Sequence, residues 1–461
     1  MSGGVSMMSL IQASQMLGAT LYGKDDTVSS VSIDTRSLKT GALYFALQGE
    51  NFDGHDFLAK AQHAGAVAVV VNKRSQANTD EFDLPQIQVK DTRKALAQLA
   101  AAWRQKFNGT VIGITGSNGK TTVKEMTAAI LATQGDVLAT QGNFNNNIGL
   151  PLTLLNMTLT EKFAVIEMGA NHHGEIAELS GIARPDIALI TNAGAAHLEG
   201  FGSIKGVSEA KGEIYSTLIE GGVAVINADD KYADYWLSLC AGKKIIRFAL
   251  DNNDAEVKGE WWATATGGVL TINIAEQQCE INLPVPGRHN AMNALAATAA
   301  AVTAGVSLDD VKDALEEFNA VAGRLNIYRT AAGVCLINDT YNANPDSLAV
   351  ALNVLNEMPG ERWLVLGDMG ELGEDSARVH ADVGIKVKAM GINRLLATGE
   401  NSVAAVKEFG DGAVHFDSHE TLIKYLKAHV HSDLNILIKG SRYMKMEQIV
   451  DALSGENTSC C

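Results

Sequence analysis

Eight consecutive residues, Thr115-Gly116-Ser117-Asn118-Gly119-Lys120-Thr121-Thr122, carry the clearest chemistry in the sequence. Glycines let backbone N–H groups close around phosphate oxygens, and a helix that starts at such a loop adds the partial positive charge of its N-terminus. Lys120 can then bridge the outer phosphates, and the Thr121 hydroxyl can hold Mg²⁺. Ile114 stands where the longer form of this motif has its first glycine, so the loop is of the shorter T-G-x-x-G-K-T type. The competing reading is a Gly-rich strand-to-helix turn with an incidental lysine. The loop implies ATP or GTP binding and leaves the reaction open.

Three further residues have the right chemistry for a metal near that loop. Glu167 closes an apolar run and precedes Gly169. A carboxylate at the C-terminal end of a parallel strand faces the ligand crevice and could share the Mg²⁺ that Thr121 touches. It reads equally well as a solvated strand-end acid. His197 follows another apolar run, at the same edge of the same expected sheet. A lone histidine is more often a hydrogen-bonded surface or core residue than a ligand. Lys211, in Glu209-Ala210-Lys211-Gly212-Glu213, reads from the residues alone as a salt-bridged helix lysine. His172 and His173 are adjacent, so they point different ways and read as a polar loop.

These residues need strands to carry them and helices to cover the strands. Short β-branched runs at 111–115, 163–168, 187–191, 223–227, 334–338, 363–367, 395–398 and 436–439 predict buried strands. Amphipathic or Ala-rich stretches at 123–131, 209–218, 291–304, 347–357 and 377–390 predict helices. That alternation predicts an α/β fold with parallel sheets. Three segments suggest themselves. Residues 1–105 form a small N-terminal α/β unit ending in a helix over 92–106. Residues 106–320 form a central parallel-sheet unit with the phosphate loop, and within it 251–286 predicts a small meander turning at Gly267–Gly268. Residues 321–461 repeat the strand–helix pattern as a Rossmann-like unit.

Bulk properties narrow the class. At 461 residues, two to four domains are expected. The formal charge of −16 argues against a general nucleic-acid binder, which needs a basic stripe. The five cysteines form no C-x-x-C pair and no zinc spacing, which fits a reducing compartment. The N-terminal stretch lacks a signal-peptide pattern and no apolar run is long enough to span a bilayer, so a cytoplasmic protein is expected.

Taken together, the runs in this chain resemble the Mur ligase family. The matching words are Asp34-Thr35-Arg36; residues 49–55; the phosphate loop; Gly142-Asn143-Phe144-Asn145-Asn146-Asn147; Glu167-Met168-Gly169; Ala196-His197-Leu198-Glu199; and Ala210-Lys211-Gly212. Further on come residues 287–294, Gly323-Arg324, Asn338-Asp339-Thr340-Tyr341-Asn342-Ala343-Asn344-Pro345, residues 367–373 and Lys439-Gly440-Ser441-Arg442. The T-Y-N-A-N-P run favours the member that joins D-alanyl-D-alanine to UDP-N-acetylmuramoyl-tripeptide over its relatives and over folylpolyglutamate synthetase. Another ligase of the superfamily and a nucleotide-switched binding protein are the competing functions.

The resemblance implies roles residue by residue. Thr115, Gly116, Ser117, Asn118, Gly119, Lys120 and Thr121 would serve ATP, with Asn290 and Asn293 on the adenine side, Arg324 reaching the phosphates, and Asp339 near the ribose. Asp34, Thr35, Arg36, Gly49 and Asn51 would hold the UDP-sugar, and Asn145 and Asn146 the muramoyl-peptide. Tyr341, Asn342 and Asn344 would lie on the dipeptide side. Two Mg²⁺ sites would use Thr121 and Glu167, then His197 and a carbamylated Lys211, because a carbamate is an oxygen-rich anion that a hard cation prefers. Lys120, His197, Lys211 and Arg324 would carry the catalysis, and His197 is also a candidate base where metal does not engage it. The implied enzyme is a monomer that makes an acyl-phosphate, binds no nucleic acid and spans no membrane.

Overall fold

Strand Thr110–Thr115 alternates between two cores, as a strand covered on both faces must. Val111 packs with Ala164, Ile166 and Leu179. Ile112 and Ile114 point the other way, to Val123, Met126 and Ile130 of helix Lys120–Ala132. Gly113 between them is a packing requirement: a Cβ there would lie 3.1 Å from both Met168 and Pro185 side chains.

The structure is a computed structural model and describes residues 6–50, 52–72, 83–264, 267–330, 333–454 and 459–460. It has a three-domain α/β architecture, each domain built on its own sheet. The first sheet has five strands, in the order Thr20–Tyr22, Gln86–Val89, Ala66–Asn72, Ala42–Phe45 and Ser30–Ser32, parallel except for the first pair. Helix Thr92–Arg104, capped by Asp91, leaves this sheet and docks on the central domain. Trp103 Nε1 donates to Met157 O at 3.0 Å, and Arg104 Nε donates to Ala183 O at 2.8 Å.

The central sheet has nine strands. Val137–Ala139, Phe163–Glu167, Thr110–Thr115, Ile187–Ile190, Val223–Asn227 and Lys244–Ala249 lie side by side and parallel. Val257–Ala263, Gly268–Ile274 and Gln277–Leu283 extend it, the last two pairings antiparallel. The phosphate-loop strand thus lies between strands that come later in the chain on both sides, the arrangement that opens a ligand crevice at the carboxyl edge. Helix Arg288–Thr303 packs against Lys120–Ala132 over one face, and its alanines permit close approach.

The C-terminal sheet has seven strands, five of them parallel: Ala413–Phe416, Arg394–Thr398, Glu361–Gly367, Leu434–Lys439 and Cys335–Asp339. Asn326–Arg329 and Ser459–Cys460 finish it antiparallel. Two expectations needed adjustment. Strand Lys244–Ala249 was not foreseen, because its apolar run is broken by Arg247. The meander is present, but Gly268 already pairs with Ala263 and Leu283 rather than turning, and a Cβ there would strike the Trp261 ring.

Candidate active site

The phosphate loop is stapled to the loop after strand Ile187–Ile190. Ser117 N donates to Asn192 O at 2.9 Å, Asn118 N to Asn192 Oδ1 at 3.0 Å, and Thr191 Oγ1 to Asn118 O at 2.6 Å. Two glycines make this closeness possible. Gly116 has φ +143° and its absent Cβ would lie 2.0 Å from Thr191 Oγ1; Gly119 has φ +80° and its absent Cβ would lie 2.4 Å from Asn293 Oδ1. Lys120 folds back over the loop, donating to Gly116 O at 2.8 Å and Ser117 O at 3.2 Å. Burial pulls its pKa down, against the attraction of Glu167. Its ammonium therefore gains from any anion that enters the loop.

Glu167 ends its strand nine-tenths and more buried, at 2 % exposure. Asn145 Nδ2 donates to its Oε1 at 2.8 Å, while Oε2 is buried without a hydrogen-bond partner. A buried anionic oxygen left unpaired is costly, and a cation beside it removes the cost. That fits Mg²⁺ at Glu167 and the Thr121 hydroxyl. Thr121 Oγ1 now accepts from Arg324 Nη2 at 3.0 Å.

Lys211 is 1 % exposed, donates to Ala170 O at 3.3 Å and lies 5.2 Å from the Phe201 ring centroid. It is not the salt-bridged surface lysine that its helix pattern allows. Burial, reinforced by the charge of Lys120, pulls its pKa to about 7. As an ammonium it does not fit a metal site; as a carbamate it does. His197 sits in left-handed backbone at φ +53°, edge-on to Phe201, with Nδ1 2.6 Å from Glu371 Oε2. Contact with His197 holds the Glu371 carboxyl below the usual carboxylate range, against partial desolvation of a half-exposed side chain. Among the described residues no three His, Cys, Asp or Glu side chains form a metal cluster.

A cleft of about 1110 Å³ gathers most of the expected residues. Ser117, Asn118, Gly119, Lys120, Asn145, Asn146, Glu167, His197, Asn290 and Asn293 line it from the central domain, and Arg324, Asp339, Tyr341, Asn342 and Asn344 from the C-terminal one. Several have further jobs. Asn146 Oδ1 accepts from Ile148 N and Gly149 N. Asn290 Nδ2 donates to Pro286 O and its Oδ1 accepts from Asn293. Asp339 pairs with buried Lys439 and accepts from Leu325 N at 3.3 Å. Tyr341 stacks 4.0 Å below the Arg324 guanidinium. Asn342 Oδ1 accepts from Ala343 N, and Asn344 caps helix Pro345–Glu357 while donating to Asn118 Oδ1 at 3.0 Å.

Asp34, Thr35, Arg36 and Gly49 lie on the first domain and do not line this cleft. Arg36 clamps Asp34, its Nε 2.9 Å from Oδ1 and its Nη2 2.6 Å from Oδ2, and pulls the carboxyl to about 2. Asn51 lies outside the described residues. Among the cleft residues without an assigned role in the sequence are His289, Asp346, Glu371 and Lys439. Asp346 Oδ2 accepts from Ala195 N at 2.5 Å, joining two domains. Burial pulls His289 to about 4. All except Asp346 stood inside matching runs, which was the available signal; their neighbours from other domains were not visible.

Comparisons with known proteins agree along the chain. Family models described as Mur ligase family, catalytic domain, Mur ligase middle domain, and Mur ligase, glutamate ligase domain match residues 27–104, 114–301 and 323–442. A UDP-N-acetylmuramoyl-tripeptide–D-alanyl-D-alanine ligase of Escherichia coli (strain K12) is 45% identical over 456 residues, covering 98% of this chain and 99% of its own. One of Bacillus subtilis (strain 168) is 39% identical, covering 92% and 93%. A crystal structure of MurF from Acinetobacter baumannii superposes with TM-score 0.89 at 33% identity, over 97% of this chain and 98% of its own. A MurF ligase from Thermotoga maritima in complex with ADP gives 0.81 at 29% identity, over 93% and 97%. With three family models in register along one chain and full-length relatives above 30% identity, the chain belongs to the Mur ligase family.

Proposed function

We propose that this protein joins D-alanyl-D-alanine to UDP-N-acetylmuramoyl-tripeptide, an ATP-dependent peptide ligation that yields the pentapeptide precursor of peptidoglycan, ADP and phosphate. The observation that carries this reading is one cleft that holds Lys120, Glu167 and His197 of the central domain opposite Arg324 and Asp339 of the C-terminal domain. The full-length relatives carrying that activity in their names support the choice of substrates.

A carboxylate is a poor acylating agent at neutral pH. Its oxygen attacks the γ-phosphorus of ATP, ADP leaves, and the resulting acyl-phosphate has a good leaving group. The loop N–H groups and Lys120 hold the phosphates, and Arg324 neutralises charge on the transferred group. The dipeptide amine, having lost a proton, then attacks the acyl carbon; a tetrahedral intermediate collapses and phosphate departs. Thr121 and Glu167 would hold Mg²⁺, which would supply screening of the phosphate charge. A second Mg²⁺ would use His197 and Lys211 once that amine, partly neutral at a pKa about 7, has added CO₂ and lost a proton to become a carbamate. Water must be kept from the acyl-phosphate, and contacts such as Asp346 to Ala195 close the cleft edge.

In this reading residues 1–105 bind the UDP-sugar through Asp34, Thr35, Arg36, Gly49 and Asn51. Residues 106–320 bind ATP and, through Asn145 and Asn146, the muramoyl-peptide, while 321–461 bring the dipeptide with Tyr341, Asn342 and Asn344. The enzyme acts as a cytoplasmic monomer; among the described residues no helix is long and apolar enough to cross a membrane. The test is substrate dependence. Phosphate release that requires ATP, UDP-muramoyl-tripeptide and D-alanyl-D-alanine together is expected. Release driven by free glutamate or a diamino acid would overturn the assignment.

A further inference from the structure

We infer that Glu371 is the carboxylate that receives the ammonium group of the incoming D-alanyl-D-alanine, an inference that rests on the ligase reading above. The C-terminal domain presents three acids to the cleft: Asp339, Asp346 and Glu371. Asp339 is held by Lys439, and Asp346 Oδ2 by Ala195 N. Among the described residues Glu371 pairs only with His197, through Oε2, and its Oε1 has no hydrogen-bond partner. Its side chain is 52% exposed, which leaves the oxygen open to a ligand.

The backbone supplies an independent observation. Glu371 is left-handed at φ +61°, and so is its partner His197 at φ +53°. Non-glycine residues rarely adopt this region, and surroundings must hold them there. Here the bracing is visible. Gly370 N donates to Ser441 Oγ at 2.7 Å, Met369 N to His380 Nε2 at 3.0 Å, and Ser441 N to Asp368 O at 2.9 Å. The loop is fixed on the strand ends of its own sheet, and the strained residue is the one that reaches across the cleft. Strain at both ends of one contact points to placement selected for a ligand between the domains. A primary ammonium, with three N–H donors and a positive charge, matches a carboxylate with a free oxygen.

Two variants test this. Glu371→Gln removes the charge at constant shape. Glu371→Asn removes it with a side chain that tolerates left-handed backbone, so folding is preserved. In both, ADP formed in a single turnover from ATP and UDP-muramoyl-tripeptide without dipeptide should stay within about threefold of the parent. The KM for D-alanyl-D-alanine should rise roughly ten- to a hundred-fold, the loss expected for a charge-assisted hydrogen bond. A dipeptide analogue with hydrogen in place of the amine should bind parent and variants equally. An unchanged dipeptide KM, or equal weakening of the analogue, would overturn the inference. So would loss of the single-turnover ADP together with weaker Mn²⁺ binding measured by spin resonance, which would make Glu371 a metal ligand. If the parent enzyme needs no dipeptide for turnover, the ligase reading itself fails, and the two failures are told apart.

Discussion

Arg324, at the entrance to the C-terminal sheet, donates from Nη2 to Thr121 Oγ1 at 3.0 Å, in the first turn of the phosphate-loop helix. The two residues are 203 positions apart, and the bond ties the C-terminal side of the cleft to the phosphate-loop side. Tyr341 stacks against the guanidinium at 4.0 Å, and the Arg324 Nε is buried without a partner. The arginine is held in plane with spare donors, which suits it to a phosphoryl group.

Arg324→Ala should therefore lower kcat about 10²- to 10³-fold, the usual cost of one transition-state donor. Arg324→Lys should recover little, because an ammonium neither stacks on Tyr341 nor forks toward two oxygens. Steady-state kinetics with saturating substrates checks both.

Gly119→Ala should weaken ATP binding by at least about tenfold. At φ +80° an L side chain is strained by roughly 1–2 kcal/mol, and its Cβ would meet Asn293 Oδ1. Lys120→Ala, by contrast, leaves the backbone free and should abolish ligation while circular dichroism shows an intact fold.

Lys211→Ala should lose activity, and a short carboxylic acid at high concentration should restore part of it. The alanine leaves a space beside Phe201 and Ala170 that an added carboxylate can enter in place of a carbamate. Full activity in the variant would exclude any role for Lys211 in the metal site.

His289 gives a pH effect on stability. Burial lowers its folded pKa to about 4, against an ordinary value of 6.5. Between those values the unfolded chain binds the proton and the folded one does not, so this histidine makes stability fall as pH drops from 6.5 toward 4. The loss is on the order of 2 kcal/mol, reduced by the partial exposure of the ring. Urea denaturation at pH 7 and pH 4.5 should show a smaller drop for His289→Gln than for the parent.

How much of this was legible beforehand depends on sequence range. The phosphate loop, Glu167 and most strands of the central and C-terminal sheets were readable, because each is a local pattern of turn residues and apolar runs. The first domain was harder: its strands, such as Thr20–Tyr22 and Ser30–Ser32, are three residues long and partly exposed, so no run marks them. Lys211 shows the limit most clearly. Its helix offers Glu at helical spacing, yet the ammonium turns inward to Phe201, because the face it occupies packs on another element of the domain.

By itself the sequence determined the α/β class, the nucleotide loop and the family words, since backbone geometry, periodicity and glycine placement act between near neighbours. Only the tertiary structure decided that Arg324 meets Thr121, that Glu371 meets His197, that Asn344 reaches Asn118, and that Asp34 and Arg36 lie apart from the main cleft. Those contacts form where independently built sheets meet, and the free energy of such a meeting belongs to surfaces contributed by distant parts of the chain.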